Sequence, residues 1–378
     1  MTYQKLELFY SYTYYDLIFS IILLIISLSI AALLTRALKI NNSISISMYI
    51  IHHVYFLIYC YYSINYGSDS LSYFLEHEGY KYLDYEQGRI SLFKFIHLLS
   101  SFNIDYFNIN YLFSIFSLIG FYFLLYIFKL TYSKQQNYNK FVLLFLFLPS
   151  IHFWVMGYSK DTLTFFCISV IFYQIIQKEK NFLIIFFAIA LVSYVRLHIG
   201  LILSVSIIIS YILNSKSYKN IFLLTLFCLL ILFLILQKII NQTPTLENII
   251  NFLNMFNNLY ISDENTAINS DNFIIKMYYY LFAPNVFDIR GNNIFFLIIT
   301  IENTYLVLLS LYLIFKKKFH FISSKKNIFF LIFGLICLIL FTQVTSNLGI
   351  ASRQKWIFMP SIIIFLLCIR EKNLKIFR

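Results

Sequence analysis

An all-α membrane helical bundle of about eleven transmembrane segments is the architecture this sequence predicts, and three observations predict it. Of 378 residues, 60% are hydrophobic and only 12% charged, about half the charged share of an ordinary soluble domain. Apolar runs of about 20 residues, enough to cross roughly 30 Å of hydrocarbon, recur along most of the chain. Between them the basic residues fall in short loops, the pattern that sets orientation in a membrane. The whole chain, 1–378, reads as one integral membrane domain.

The runs lie near 16–36, 45–66, 109–130, 140–157, 161–177, 181–195, 197–213, 220–238, 292–315, 327–345 and 356–370. Ahead of the first, MTYQKLELFYSYTYYD sets one lysine against Glu7 and Asp16. That is the wrong charge for the leading region of a secretory signal, so the first segment is expected to be retained. Loops 36–44, 129–140, 178–180, 214–220 and 316–326 and the tail 370–378 are placed in the cytoplasm. They hold most of the 29 lysines and arginines but only Glu179 and Glu371 of the 17 acidic residues. The N-terminus is therefore expected outside and the C-terminus inside. The net charge of +12 is spread over these loops, so it makes no basic face for nucleic acid; membrane lipids are the expected surroundings.

The run from Phe182 to Leu213 carries Arg196 and His198 near its middle, where a charge costs about 2.5–3.5 kcal/mol. Read as one helix, it would turn KKKFHFISSKK (316–326) to the outside. Two segments that meet at Arg196 keep the basic loops inside. Each would be about 23–26 Å long at 1.5 Å per residue, short of the hydrocarbon thickness. Their junction is expected below the outer surface, with Arg196 lining a wet cavity. The run FVLLFLFLPSIHFWVMGYSKDTLTFFCISVIFYQII (141–176) has the same form, interrupted by Pro149, Gly157, Lys160 and Asp161. Two outward-facing helical hairpins with charged tips are thus expected.

Two long outer loops, 67–108 and 239–291, exceed ordinary connections and point to function. RISLFKFIHLLSSF in the first sets Lys94, His97 and Ser101 on one helical face and Leu92, Phe95, Ile96 and Leu99 on the other, the pattern of a helix in the membrane interface. The second is rich in asparagine and tyrosine, read either as sugar-binding or as merely solvated. Cys60, Cys167, Cys228, Cys337 and Cys368 lie in or beside apolar runs and read as packing residues, with no metal-ligand spacing.

The charges expected outside and near segment ends are Asp69, Lys160, Asp161, Arg196, His198, Arg290, Glu302, Arg353 and Lys355. Arginines and lysines gathered on one face suit a ligand with several anionic oxygens, because a guanidinium forks onto phosphate and an ammonium adds a point charge. Each residue also has a plainer reading. Arg353 and Lys355 flank a segment and can snorkel to headgroups; Ser159 can cap a helix with Asp161 in its first turn. Asp69 fits an ordinary loop, Glu302 a buried carboxylate satisfied by a neighbouring helix, and His198 a packed or interfacial histidine. Arg196 is too deep for simple solvation.

At GSDSLSY (Gly67, Asp69, Tyr73), LPSIHFWVMGYSKDTL, SYVRLHIG, YYYLFAPNVFDIRGN, IENTY and SNLGIASRQKWIFMP, the sequence resembles the Wzy-type polymerases of bacterial O-antigen and capsular polysaccharide, in the broad group with EpsG-like proteins. The resemblance runs in order from about 65 to 360. Leu197 stands where relatives often have proline. What the resemblance implies is glycosyl transfer at the outer face of the bacterial inner membrane. The donor would be a glycan on undecaprenyl diphosphate and the acceptor a single lipid-linked repeat unit, with a chain-length regulator protein as a further partner. Arg196, Arg353, Arg290 and Lys160 would hold the diphosphate. Asp69, then Asp161 or His198, would act as base, with Tyr73, Glu302 and Lys355 nearby. No cofactor or metal is required, because cations on the chain neutralise the leaving group. A flippase of lipid-linked oligosaccharide, another outer-face polyprenyl-linked glycosyltransferase and an O-antigen ligase stay open as alternatives.

Overall fold

The computed structural model describes residues 13–76, 87–102, 104–132, 140–177, 179–214, 268, 272–286, 294–315, 327–345 and 347–368. The described chain is helical throughout its regular structure, and it groups into two compact units, Met1–Gly200 and Leu201–Arg378.

In the first unit, α1 (Tyr14–Ala37) opens on a capping box in which Thr13 and Asp16 satisfy each other's end of the helix. Helix α2 (Asn42–Tyr66) starts at the Asn41 cap and stops at Gly67, whose φ of 88° only glycine adopts without strain. The short helix α3 (Asp69–Glu76) and α4 (Gln87–Ser100) pack together. Helix α5 (Tyr106–Tyr132) is the spine of the unit, touching α1, α2, α3 and α8 (Lys160–Ile176). It passes close to α8 at Gly120, where a Cβ would sit 2.9 Å from the Phe165 ring. Small residues permit such crossings where apolar burial alone drives little association.

Between α5 and α8 the chain does not form one helix. A single turn, α6 (Lys140–Leu143), passes into a 3₁₀ turn (Leu144–Phe147), an extended Leu148 and α7 (Pro149–Trp154). Proline at the first helical position of α7 explains the restart, because it has no N–H to continue the previous helix. The interruption expected at Pro149 therefore falls inside the segment 140–157. Helix α9 (Phe182–Val195) packs along α8 and against α4, and α10 (Leu197–Asn214) begins immediately after it.

Of the face expected to be apolar in residues 89–102, Leu92 and Ile96 are buried and Leu99 half-buried, packed with Phe93 against Tyr73, Phe113 and Tyr158, whereas Phe95 is exposed, as are Lys94 and His97.

In the second unit, α11 (Phe273–Phe282) contacts α12 (Ile294–Phe315), α13 (Asn327–Val344) and α14 (Leu348–Cys368), and α13 and α14 pack most closely. Gly334 allows it, since a Cβ there would meet Ser361 Oγ at 2.9 Å.

Six described helices are long and apolar enough to cross a membrane: Tyr14–Ala37, Asn42–Tyr66, Tyr106–Leu130, Phe296–Phe315, Asn327–Val344 and Leu348–Leu367. Five of them match expected segments, and Leu348–Leu367 begins eight residues before the expected 356–370. The helices at 140–154, 182–195 and 197–213 are shorter, and 220–238 lies outside the described residues. Cys60, Cys167 and Cys337 are buried and free, as packing residues should be.

Candidate functional site

The charged tips expected at residues 157–161 and 196 meet. Arg196 Nη2 stands 2.6 Å from Asp161 Oδ1, with the two side chains 14% and 4% exposed. Local sequence builds each half. Ser159, in extended backbone, caps α8 by accepting from Thr162 N at 3.2 Å, which puts Asp161 in the first helical turn, where the helix dipole favours an anion. Thr162 Oγ1 donates back to the carbonyls of Val155 and Gly157 at 2.9 and 2.7 Å, closing the turn that leads into the helix. The turn depends on Gly157 (φ 67°): a Cβ there would lie 2.3 Å from the Tyr59 ring and 2.5 Å from Asn110 Oδ1.

Arg196 ends α9 with φ −141° and ψ 85°, its N–H donating to Val192 O at 2.6 Å. Its own carbonyl accepts from Ile199 and Gly200, which starts α10. The break expected here thus forms with Leu197 in place of proline. The pull of Asp161 on the guanidinium and the close pass of Gly200 over Ser193 stand in for the ring: a Cβ at 200 would fall 2.0 Å from Ser193 Oγ.

Tyr158 joins this tip to the GSDSLSY segment. Its N–H donates to Asn110 Oδ1 at 2.8 Å and its phenol donates to the Leu92 carbonyl of α4. Its ring meets Tyr73 edge-on, 6.2 Å between centroids and 86° between planes. Burial, with Tyr73 beside it, pushes the Tyr158 phenol well above its ordinary range. Tyr73 is buried one turn after Asp69, which opens α3 and is half-buried. Three segments singled out in the sequence, around 69–73, 158–161 and 196, therefore converge in one unit. Lys160 is the first residue of α8 and half-buried; His198 is exposed at the start of α10.

The second unit holds a separate polar centre. Lys355, 1% exposed within α14, donates to Asn303 Oδ1, and Asn303 Nδ2 donates to the Pro284 carbonyl at 2.9 Å. Glu302, 3% exposed, acts on Lys355 electrostatically, and Lys355 Nζ lies 5.1 Å from the Trp356 ring centre. Lys355 is thus a buried helix residue, which corrects its reading as a snorkelling flank. Gln354 beside it accepts from Thr345 Oγ1 at 2.8 Å and Tyr280 at 3.3 Å. Arg353 is half-buried in the same turn, and Arg290 lies outside the described residues.

Sequence reasoning missed the uncharged polar residues that organise these centres: Asn110, Asn303, and the hydroxyls around Ser63 and Ser70. It also missed a buried histidine pair, His52 and His152, with Nδ1 atoms 3.4 Å apart and Nε2 atoms on the Ser114 and Leu146 carbonyls. The signal available was polar side chains inside apolar runs, as in NINYLF and IENTY. Among the described residues no three His, Cys, Asp or Glu side chains cluster as a metal site. No family model, curated protein or solved structure matches this chain.

Proposed function

We propose that the chain is a Wzy-type polysaccharide polymerase of the bacterial inner membrane. It would transfer a growing glycan from undecaprenyl diphosphate to a hydroxyl of one lipid-linked repeat unit at the outer face. The observation that carries this reading is the Asp161–Arg196 pair: a guanidinium at a helix break, largely buried and still partly open, held by one carboxylate. In such a transfer the anomeric C–O bond to the diphosphate breaks as the acceptor oxygen bonds the same carbon. Negative charge gathers on the departing diphosphate, and the acceptor proton must go to a base.

Arg196 suits the first task, because a guanidinium already placed in a largely buried site, and able to turn from Asp161 to a departing diphosphate, stabilises the developing charge. Lys160, next to Asp161, adds a second positive group from the same turn. Asp69 suits the second task better than Asp161. The Asp161 oxygen is committed to Arg196, whereas Asp69 is half-buried beside Tyr73. Proton transfer by a placed carboxylate contributes about 10²–10⁴ in rate.

The test is made in the native host. Replacing Arg196 by alanine should cut long polymer at least about a hundredfold and leave a single repeat unit on the lipid acceptor. Lysine should rescue poorly, because it cannot fork onto two oxygens. An unchanged ladder of chain lengths in Arg196→Ala, with the protein present in the membrane, rejects the reading.

A further inference from the structure

Four hydroxyls form a closed ring that includes both sequence neighbours of Asp69. Ser63 comes from the last turn of α2, Ser68 and Ser70 flank Asp69, and Tyr106 opens α5. Ser63 is hydrogen-bonded to both Ser68 and Tyr106. Ser68 Oγ lies 2.9 Å from Ser70 Oγ, and Ser70 Oγ lies 2.8 Å from Tyr106 Oη. Tyr59 Oη joins from outside the ring at 2.9 Å from Ser70 Oγ, and Leu71 N–H donates to Ser68 Oγ at 3.2 Å.

Proton counting constrains this ring. A hydroxyl carries one proton and accepts on two lone pairs. Each link of the ring needs one proton, so each member must donate once and all must donate in the same rotational sense. Tyr59 then gives its proton to Ser70. On this count Ser68 and Ser70 each donate once and accept twice, which fills both. Ser63 and Ser70 are fully buried, with Tyr59 and Tyr106 nearly so, so a missing member strands a hydroxyl where water does not replace it. Asp69 sits between the two filled serines and is itself half-buried.

We infer that Tyr106 and Ser63 are positioning residues for Asp69. By fixing the backbone on both sides of residue 69, the ring holds its carboxylate in one place on the outer end of α3. The catalytic part of this inference rests on the reading of Asp69 as the base in the proposed transfer. Misplacement of a reacting group by about 1 Å costs up to about a hundredfold, so the ring matters to rate without touching substrate.

The experiment uses the full chain in its own host, with polymer normalised to protein in the membrane. Tyr106→Phe and Ser63→Ala each remove one ring member from a different helix. Position is read separately: Asp69→Cys is labelled with a water-soluble maleimide, with and without Tyr106→Phe. The expected result is a several-fold change in labelling rate at position 69 and a loss of about tenfold to a hundredfold in polymer. In the Asp69→Asn background, Tyr106→Phe should add nothing. Wild-type labelling and wild-type polymer in both ring variants overturn the inference, as does an undiminished effect of Tyr106→Phe when Asp69 is already asparagine. A changed labelling rate with normal polymer in Asp69→Asn upholds the positioning and removes Asp69 from the chemistry.

Discussion

Each unit of this protein buries a cation beside a polar partner, and the two do so in opposite ways. Arg196 lies at a break between helices, keeps 14% of its side chain exposed and faces a full negative charge. Lys355 lies inside an unbroken helix, is 1% exposed, donates to a neutral amide that is itself tied to the Pro284 carbonyl, and has the buried Glu302 carboxylate acting on it at longer range. The first arrangement leaves a guanidinium that can exchange one anionic partner for another. The second anchors an ammonium among groups already committed to each other, so it serves as a strut between α12, α14 and the turn before α12. Burial of charge alone does not mark a ligand site; the exposure left to the cation and the state of the backbone do.

Removing the neutral partner should have the larger effect on stability. Asn303→Leu strands the Pro284 carbonyl and leaves the Lys355 ammonium without its amide acceptor, with an expected cost of about 3 kcal/mol. Thermal unfolding in detergent measures it. Asp161→Ala should cost less, about 2 kcal/mol, because Arg196 can turn its exposed edge to water. If Asp161→Ala proves the more damaging, Arg196 is as fixed as Lys355 and the contrast fails.

Ser159→Ala sharpens the comparison at a lower level, since it removes the cap that sets Asp161 in the first turn. About 1 kcal/mol is expected, with the Arg196 break kept, as read by cysteine accessibility on either side of residue 196. The smallest effect concerns Asp105, the cap of α5, which accepts from Phe107 N at 3.1 Å and Asn108 N at 3.3 Å. Burial first, and then the neighbouring Asp16 carboxylate, raise the Asp105 carboxyl above its usual range. The folded state therefore holds this proton to higher pH than the unfolded chain. The associated stability is complete below the ordinary carboxylate range, about 3.9, and is lost as pH rises through the folded value. Asp105→Asn should flatten that part of the stability profile; an unaltered slope removes Asp105 from it.

The long apolar helices α1, α2, α5, α12 and α13 were legible because hydropathy over about 20 residues reports membrane insertion directly. The Arg196 break was legible too, from the cost of a central charge and the side each basic loop must take. Helix α14 was not: residues 353–355 read as a flank, so the segment was expected from 356, whereas the helix begins at Leu348. Hydropathy scores Arg353, Gln354 and Lys355 as if each faced solvent. Asn303 supplies a partner to Lys355, and Tyr280 and Thr345 supply partners to Gln354, from elsewhere in the fold.

By itself the sequence determined a helical membrane protein, the cap at Ser159, the interruption at Gly157, and the need for something to compensate Arg196. These are local matters, settled by periodicity, backbone freedom and transfer cost within a few residues. Only the tertiary structure decided that Asp161 is the partner, that Tyr73 meets Tyr158, and that Ser63, Ser68, Ser70 and Tyr106 close a ring. Apart from the local links of Ser68 to Ser63 and Ser70, those pairings join residues far apart in the chain, and they depend on where helices cross and how they rotate, which no window along one segment contains.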